Sequence, residues 1–122
     1  MLKKINRPLL QETTINFLST HSTVEGKVIF ENISRVHGTL IGEVVSKPGS
    51  TLILCDSSII EGNISADVLI VDGYVKGDIS AKTKVTLSST ARVIGNIKTR
   101  SLSVEFGAYF EGNSHADPTL SL

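Results

Sequence analysis

The sequence predicts an all-β, single-domain protein, a triangular β-solenoid of about six coils, and three observations carry that prediction. The stretch "VHGTLIGEV" at residues 36–44 returns 35 residues later as "VDGYVKGDI" at residues 71–79. In both copies apolar residues and glycines alternate with residues that share no chemistry, the period-two signature of a strand with one side toward a core. The shorter unit inside them, an apolar residue, any residue, glycine, any residue, an apolar residue, occurs six times, and an internal repeat outranks every local signal in naming a fold.

The central glycines are Gly26, Gly42, Gly62, Gly77, Gly95 and Gly112. Their flanking pairs are Val24/Val28, Leu40/Val44, Ile60/Ile64, Val75/Ile79, Val93/Ile97 and Phe110/Ser114, with Ser114 the one polar exception. A second apolar pair precedes most glycines (Leu52/Leu54, Leu69/Val71, Val85/Leu87, Leu102/Val104), and a third column with smaller residues follows (Ile64/Ala66, Ile79/Ala81, Ile97/Thr99). Three short strands per coil result, each near the usual strand length.

Successive glycines are 16, 20, 15, 18 and 17 residues apart, so the variation must fall in the turns. The short interval is explained by "DGY", which carries Val71 to Val75 with two residues fewer than the equivalent corners of other coils. The long one contains "SKPGS" at residues 46–50, a Pro-Gly turn bulging from the third face. Gly38 and Gly73 serve tight bends, where a side chain is crowded or φ is positive. The rival local reading of "VDGYV", an antiparallel hairpin on an Asp-Gly turn, loses because the same strand pair recurs at Leu87/Val93 and Val104/Phe110 with different turns.

Stacked coils bring equivalent residues to about 4.8 Å. The column before the glycines then reads Glu25, Ile41, Glu61, Lys76, Ile94, Glu111, and the column after them Lys27, Glu43, Asn63, Asp78, Asn96, Asn113. The last four allow either a polar ladder or separately solvated side chains, and the sequence leaves those two readings level.

Composition removes several function classes. Twelve Lys and Arg balance twelve Asp and Glu, and aromatic residues are 5% of the chain, so neither a basic field nor a base-stacking platform marks it as a nucleic-acid binder. A lone Cys55 forms no internal disulfide and fits a reducing compartment. Residues 1–22 have a basic start, but Arg7, Pro8, Gln11 and Glu12 interrupt any signal-peptide core, and no stretch reaches membrane-spanning length. The "NIS" sequons at Asn32 and Asn63 then carry no glycosylation argument.

Catalysis finds little support. A hexapeptide-repeat acyltransferase needs a strict six-residue period and a catalytic His, whereas His21, His37 and His115 are scattered. A polysaccharide-acting β-helix needs clustered carboxylates in a groove; Asp56 and Asp72 sit at similar corners and read as turn formers. No metal-ligand spacing occurs, no cofactor motif either, and no aligned threonine face marks a monomeric ice- or glycan-binding module. The expectation is a non-enzyme without catalytic, cofactor or metal residues.

Together, the roughly 17-residue coils, the paired "VHGTLIGEV" and "VDGYVKGDI" and the run "ADVLIVDGYVKGDISA" resemble the bactofilin family, over residues 24–112. The resemblance implies a right-handed parallel β-helix that self-assembles without nucleotide into filaments at the inner face of the cytoplasmic membrane, where they scaffold cell-wall enzymes and cell-shape or polarity factors. The departures are "FEGNS" at residues 110–114 and a first coil with no clear upstream strand.

Three segments are expected: 1–22 as a flexible tail, 23–114 as the β-helix polymerisation domain, and 115–122 as a short C-terminal tail. Solenoid ends associate unless capped. Four of the six aromatic residues lie at the two ends of the repeat, Phe30 in the first coil and Phe106, Tyr109 and Phe110 in the last. They read as a polymer interface, or alternatively as plugs that close the core. The tail carries Lys3, Lys4 and Arg7 interleaved with Leu2, Ile5 and Leu9, and its net charge is +2 against −2 for the rest. It is either a plain tail or a peptide that touches an anionic membrane surface, and the start "MLKK" favours the second by its resemblance to bactofilin N-termini.

Overall fold

The computed structural model describes residues 14–17 and 21–116. Its strands are β1 Thr14–Phe17, β2 Thr23–Phe30, β3 Ile33–Ser46, β4 Thr51–Glu61, β5 Ile64–Val71, β6 Tyr74–Lys76, β7 Ile79–Leu87, β8 Arg92–Ile94, β9 Ile97–Thr99, β10 Leu102–Val104, β11 Tyr109–Glu111 and β12 Ser114–Ala116. Every strand pairing among the described residues is parallel, and partners come from successive coils. That is a β-solenoid, and the "VDGYV" hairpin is absent from it.

The pairings run through the predicted columns. On the first face Leu52 pairs Leu69, Leu69 pairs Val85 and Val85 pairs Leu102. On the second Leu40, Ile60, Val75, Val93 and Phe110 follow one another. On the third Val44, Ile64, Ile79, Ile97 and Ser114 do. Alternation sends these side chains inward, and the interior columns form one aliphatic core in which Leu40, Leu52, Ile60, Leu69, Val75 and Val85 are fully buried. Five turns separate Gly26 from Gly112.

The glycines themselves do more than the sequence suggests. Read as alternating positions within a strand, they instead turn the chain from the second face to the third, with φ from +125° to +149°. From Gly62 onward the break is visible as two strands, β4 ending at Glu61 and β5 starting at Ile64. A Cβ at Gly42, Gly62, Gly77, Gly95 or Gly112 would meet the backbone carbonyl of the glycine one coil earlier, so stacking requires glycine at these five positions. Gly38 and Gly73 bend the opposite corner for different reasons: φ is +84° at Gly38, while a Cβ at Gly73 would run into Cys55 and Ser58.

The two irregular intervals are corners, as expected. Val71 lies beside Leu54 and Tyr74 beside Ile59, so the trimmed "DG" shortens only the bend. The Pro-Gly turn closes with the Ser50 N–H donating to the Lys47 carbonyl at 3.0 Å, and its Gly49 N–H reaches Asp67 of the next coil at 2.6 Å.

Both ends extend past the expected boundaries. Strand β1 falls inside the segment expected as a tail and pairs with Ile33–Val36, giving the first coil the upstream strand that its sequence lacks. No glycine unit announces it, so a search for the repeat passes over it. Strand β12 carries the third face to Ala116.

Candidate polymer interface at the solenoid ends

Parallel stacking leaves each end of a solenoid with a strand edge and a section of core, and the two ends here differ. In the first coil Phe30 lies beside Ser46 and is 6% exposed. It sits in the core of its own chain. Val28 is buried next to it.

Among the described residues the last coil is open. Phe106 projects from the corner between first and second faces and is 99% exposed, and Val104 and Tyr109 are about half exposed (48% and 47%). Phe110 takes the aliphatic column of the second face beyond Val93 and packs partly on the core. Among the described residues no coil follows to cover it. A strand edge of β10, β11 and β12 accompanies these side chains, and such an edge is a template for further pairing. The Tyr109 hydroxyl donates to Glu111 at 2.8 Å, a bond to a carboxylate that raises the phenol above its ordinary range. Phe106, Tyr109 and Phe110 thus share one end, and Phe30 lies about five coils away. Leu2, Lys3, Lys4, Ile5, Arg7 and Leu9 lie outside the described residues.

A polar feature that the sequence left undecided is resolved. Asn63 Oδ1 accepts the Asp78 N–H at 3.2 Å, Asp78 Oδ1 the Asn96 N–H at 3.0 Å, and Asn96 Oδ1 the Asn113 N–H at 3.1 Å. The column is a ladder in which each side chain holds the backbone of the next coil. It runs along an open groove of about 460 Å³ on the third face, shared with Ser65, Ser80, Lys98 and His115.

Among the described residues no three His, Cys, Asp or Glu gather as metal ligands, and no helix is long and apolar enough to cross a membrane. His37 lies 3.3 Å from the Ser57 hydroxyl on a corner. Burial pushes the Cys55 thiol above its ordinary range against the opposing pull of Arg35.

The family model described as "Bactofilin: Polymer-forming cytoskeletal" matches residues 16–115. The chain belongs to the bactofilin family. It is similar to bactofilin BacO of Myxococcus xanthus (strain DK1622), 27% identical over 113 residues that span 90% of this chain and 88% of that protein. It also resembles bactofilin BacP of the same organism, 29% identical over 89 residues, 73% of this chain and 36% of that one. No solved structure matches. This bactofilin's matched region takes in β1 from its third residue onward and ends within β12, so family and fold agree that the solenoid reaches into residues 1–22.

Proposed function

We propose that the chain is the subunit of a nucleotide-independent filament that lies at the inner face of the cytoplasmic membrane and scaffolds cell-wall enzymes or factors of cell shape and polarity. The observation that carries the assembly step is the last coil, uncapped among the described residues, where Val104, Phe106, Tyr109 and Phe110 flank a strand edge. A second copy docked there continues the stacking by which each coil already covers the one before it. Nothing in that step calls for nucleotide, because burial and backbone pairing drive it. The family's description as polymer-forming supports the same reading.

Membrane attachment is assigned to Leu2, Lys3, Lys4, Ile5, Arg7 and Leu9, a basic and apolar peptide suited to an anionic surface. One such peptide binds weakly, and a filament presents many, raising avidity by roughly 10²- to 10⁴-fold.

Electron microscopy of the purified protein without nucleotide tests the polymer: filaments support it and dispersed monomers overturn it. Pelleting with anionic liposomes tests the anchor. Deleting residues 2–10 should leave filaments in solution, and filaments that still pellet with liposomes would remove the tail from the anchoring role.

A further inference from the structure

The first face has an outer surface that the end-to-end assembly does not use. Alternation points Leu52, Leu54, Leu69 and Val71 into the core, so the residues between them face outward in two columns. One column is Ile33, Thr51, Val68 and Lys84, the other Arg35, Ile53, Ile70 and Thr86. The centre of this surface is aliphatic. Its two long rims differ in charge. The corner entering the face carries Lys82 and Arg100, beside Lys84 of the face itself; the corner leaving it carries Asp56, Asp72 and Glu105. Two acids share the basic rim: Asp67 is held by the Gly49 N–H and the Thr83 hydroxyl with Lys82 beside it, and Glu31 is paired with Lys47 at 2.8 Å.

We infer that this face pairs two copies of the chain side by side, related by a two-fold axis parallel to the solenoid axis; the inference rests on the filament reading above. That axis carries each column of one copy onto the opposite column of the other at the same height. Val68 then faces the second copy's Ile70, Thr51 its Ile53, Ile33 its Arg35 and Lys84 its Thr86. The basic rim of each copy meets the acidic rim of its mate: Arg100 comes level with Glu105, while Asp67 comes level with Asp72 and is the one acid set against another. A two-fold perpendicular to the solenoid axis would instead set basic rim on basic rim and acid on acid, which opposes association. An anionic lipid surface would meet the acidic rim as well as the basic one. Nor does the face offer backbone groups to a peptide strand, since its N–H and C=O groups are spent on neighbouring coils.

Size decides when pairing occurs. Five coils at about 4.8 Å and strands of about 13 Å give a face of roughly 300 Å², well below the about 800 Å² per partner of a stable complex. Single subunits should not pair through it. A filament repeats the face along its length, so pairing becomes a property of the polymer, which then consists of two protofilaments.

The test is electron microscopy of filaments from three proteins, each first checked for a native β spectrum and melting curve. Wild type should show paired protofilaments. Val68→Glu/Ile70→Glu puts acid against acid at both contacts and should leave single protofilaments. Val68→Lys/Ile70→Glu is equally polar but sets base against acid across the proposed axis, and pairing should persist. Loss of pairs with the lysine–glutamate variant, or their retention with the double glutamate, overturns the arrangement. Single wild-type protofilaments also overturn it while the polymer stands; if those coat phosphatidylglycerol vesicles and the double glutamate strips them, the face belongs to a lipid surface. A wild type without any filament defeats the polymer reading itself.

Discussion

A Cβ placed on Gly77 would lie 2.6 Å from the carbonyl carbon of Gly62, one coil earlier, and closer still to its oxygen. That relationship recurs from Gly42 to Gly112 and makes the glycine column a consequence of stacking as well as of turning. The column's first member is different, because Gly26 has nothing within 4 Å of the same position.

Gly77→Ala and Gly26→Ala should therefore separate the two effects. Both force a side chain onto a positive φ, a strain of about 1 to 3 kcal/mol. Only Gly77→Ala also pushes adjacent coils apart, so its loss should exceed that of Gly26→Ala by several-fold, near or beyond the roughly 4 kcal/mol that marks an exceptional substitution. Thermal melts of the two proteins compare them directly; equal losses would mean that the coils can part without cost.

Ile79 lies in the middle of the third-face column and is 1% exposed, between Ile64 and Ile97. Ile79→Asp puts an unpaired carboxylate there, a cost of several kcal/mol against a total stability on the order of 5 to 15. Circular dichroism should show an unfolded or aggregated protein, and an unchanged spectrum and melting temperature would take Ile79 out of the core.

The opposite outcome is expected at Ser46. Its hydroxyl is buried without a hydrogen-bond partner in the described chain, in the column that holds Phe30. Such a group carries a desolvation cost of roughly 1 to 3 kcal/mol. Ser46→Ala removes it and should hold or raise the melting temperature, whereas a clear drop would reveal a partner for the hydroxyl.

Asp67 ties the Pro-Gly turn to the coils around it. The Thr83 hydroxyl first, then the Gly49 N–H, hold its carboxyl below the ordinary 3.8. A carboxylate depressed in the folded state adds stability above its unfolded value, and that contribution disappears as pH falls through the lower folded value. Wild type should therefore melt slightly above Asp67→Asn at neutral pH, with the gap closing below about pH 4. The site is solvent-exposed and the gap small; a gap that widened in acid would contradict the assignment.

For assembly, Phe110→Arg is the decisive substitution. Phe110 continues the Val93 column at the open end and is only partly buried, so the variant should fold. Burying a Phe is worth about 1.5 to 3 kcal/mol, and its loss from a junction should raise the concentration needed for assembly about tenfold or more. Sedimentation at matched concentrations reads this, and persistent pelleting would move the junction elsewhere.

Much of this molecule is legible in one dimension because a solenoid converts sequence period into spatial neighbours. Equivalent residues of successive repeats become partners one strand spacing apart, so the Leu52, Ile60 and Ile64 columns and the positions of the irregular corners follow from counting. Tertiary structure alone decided what counting could not reach. It placed the glycines at corners, because a positive φ leaves no trace in an alternating pattern. It closed the Asn63, Asp78, Asn96 and Asn113 ladder, since the direction of an amide or carboxylate oxygen depends on the backbone of the next coil. Strand β1 emerged only from its pairing with β3, for a strand without the repeat's glycine is defined by its partner. The aromatic residues divided the same way: composition marked Phe30, Phe106, Tyr109 and Phe110 alike, and burial, which depends on which coil covers which, put Phe30 inside and left Phe106 in solvent.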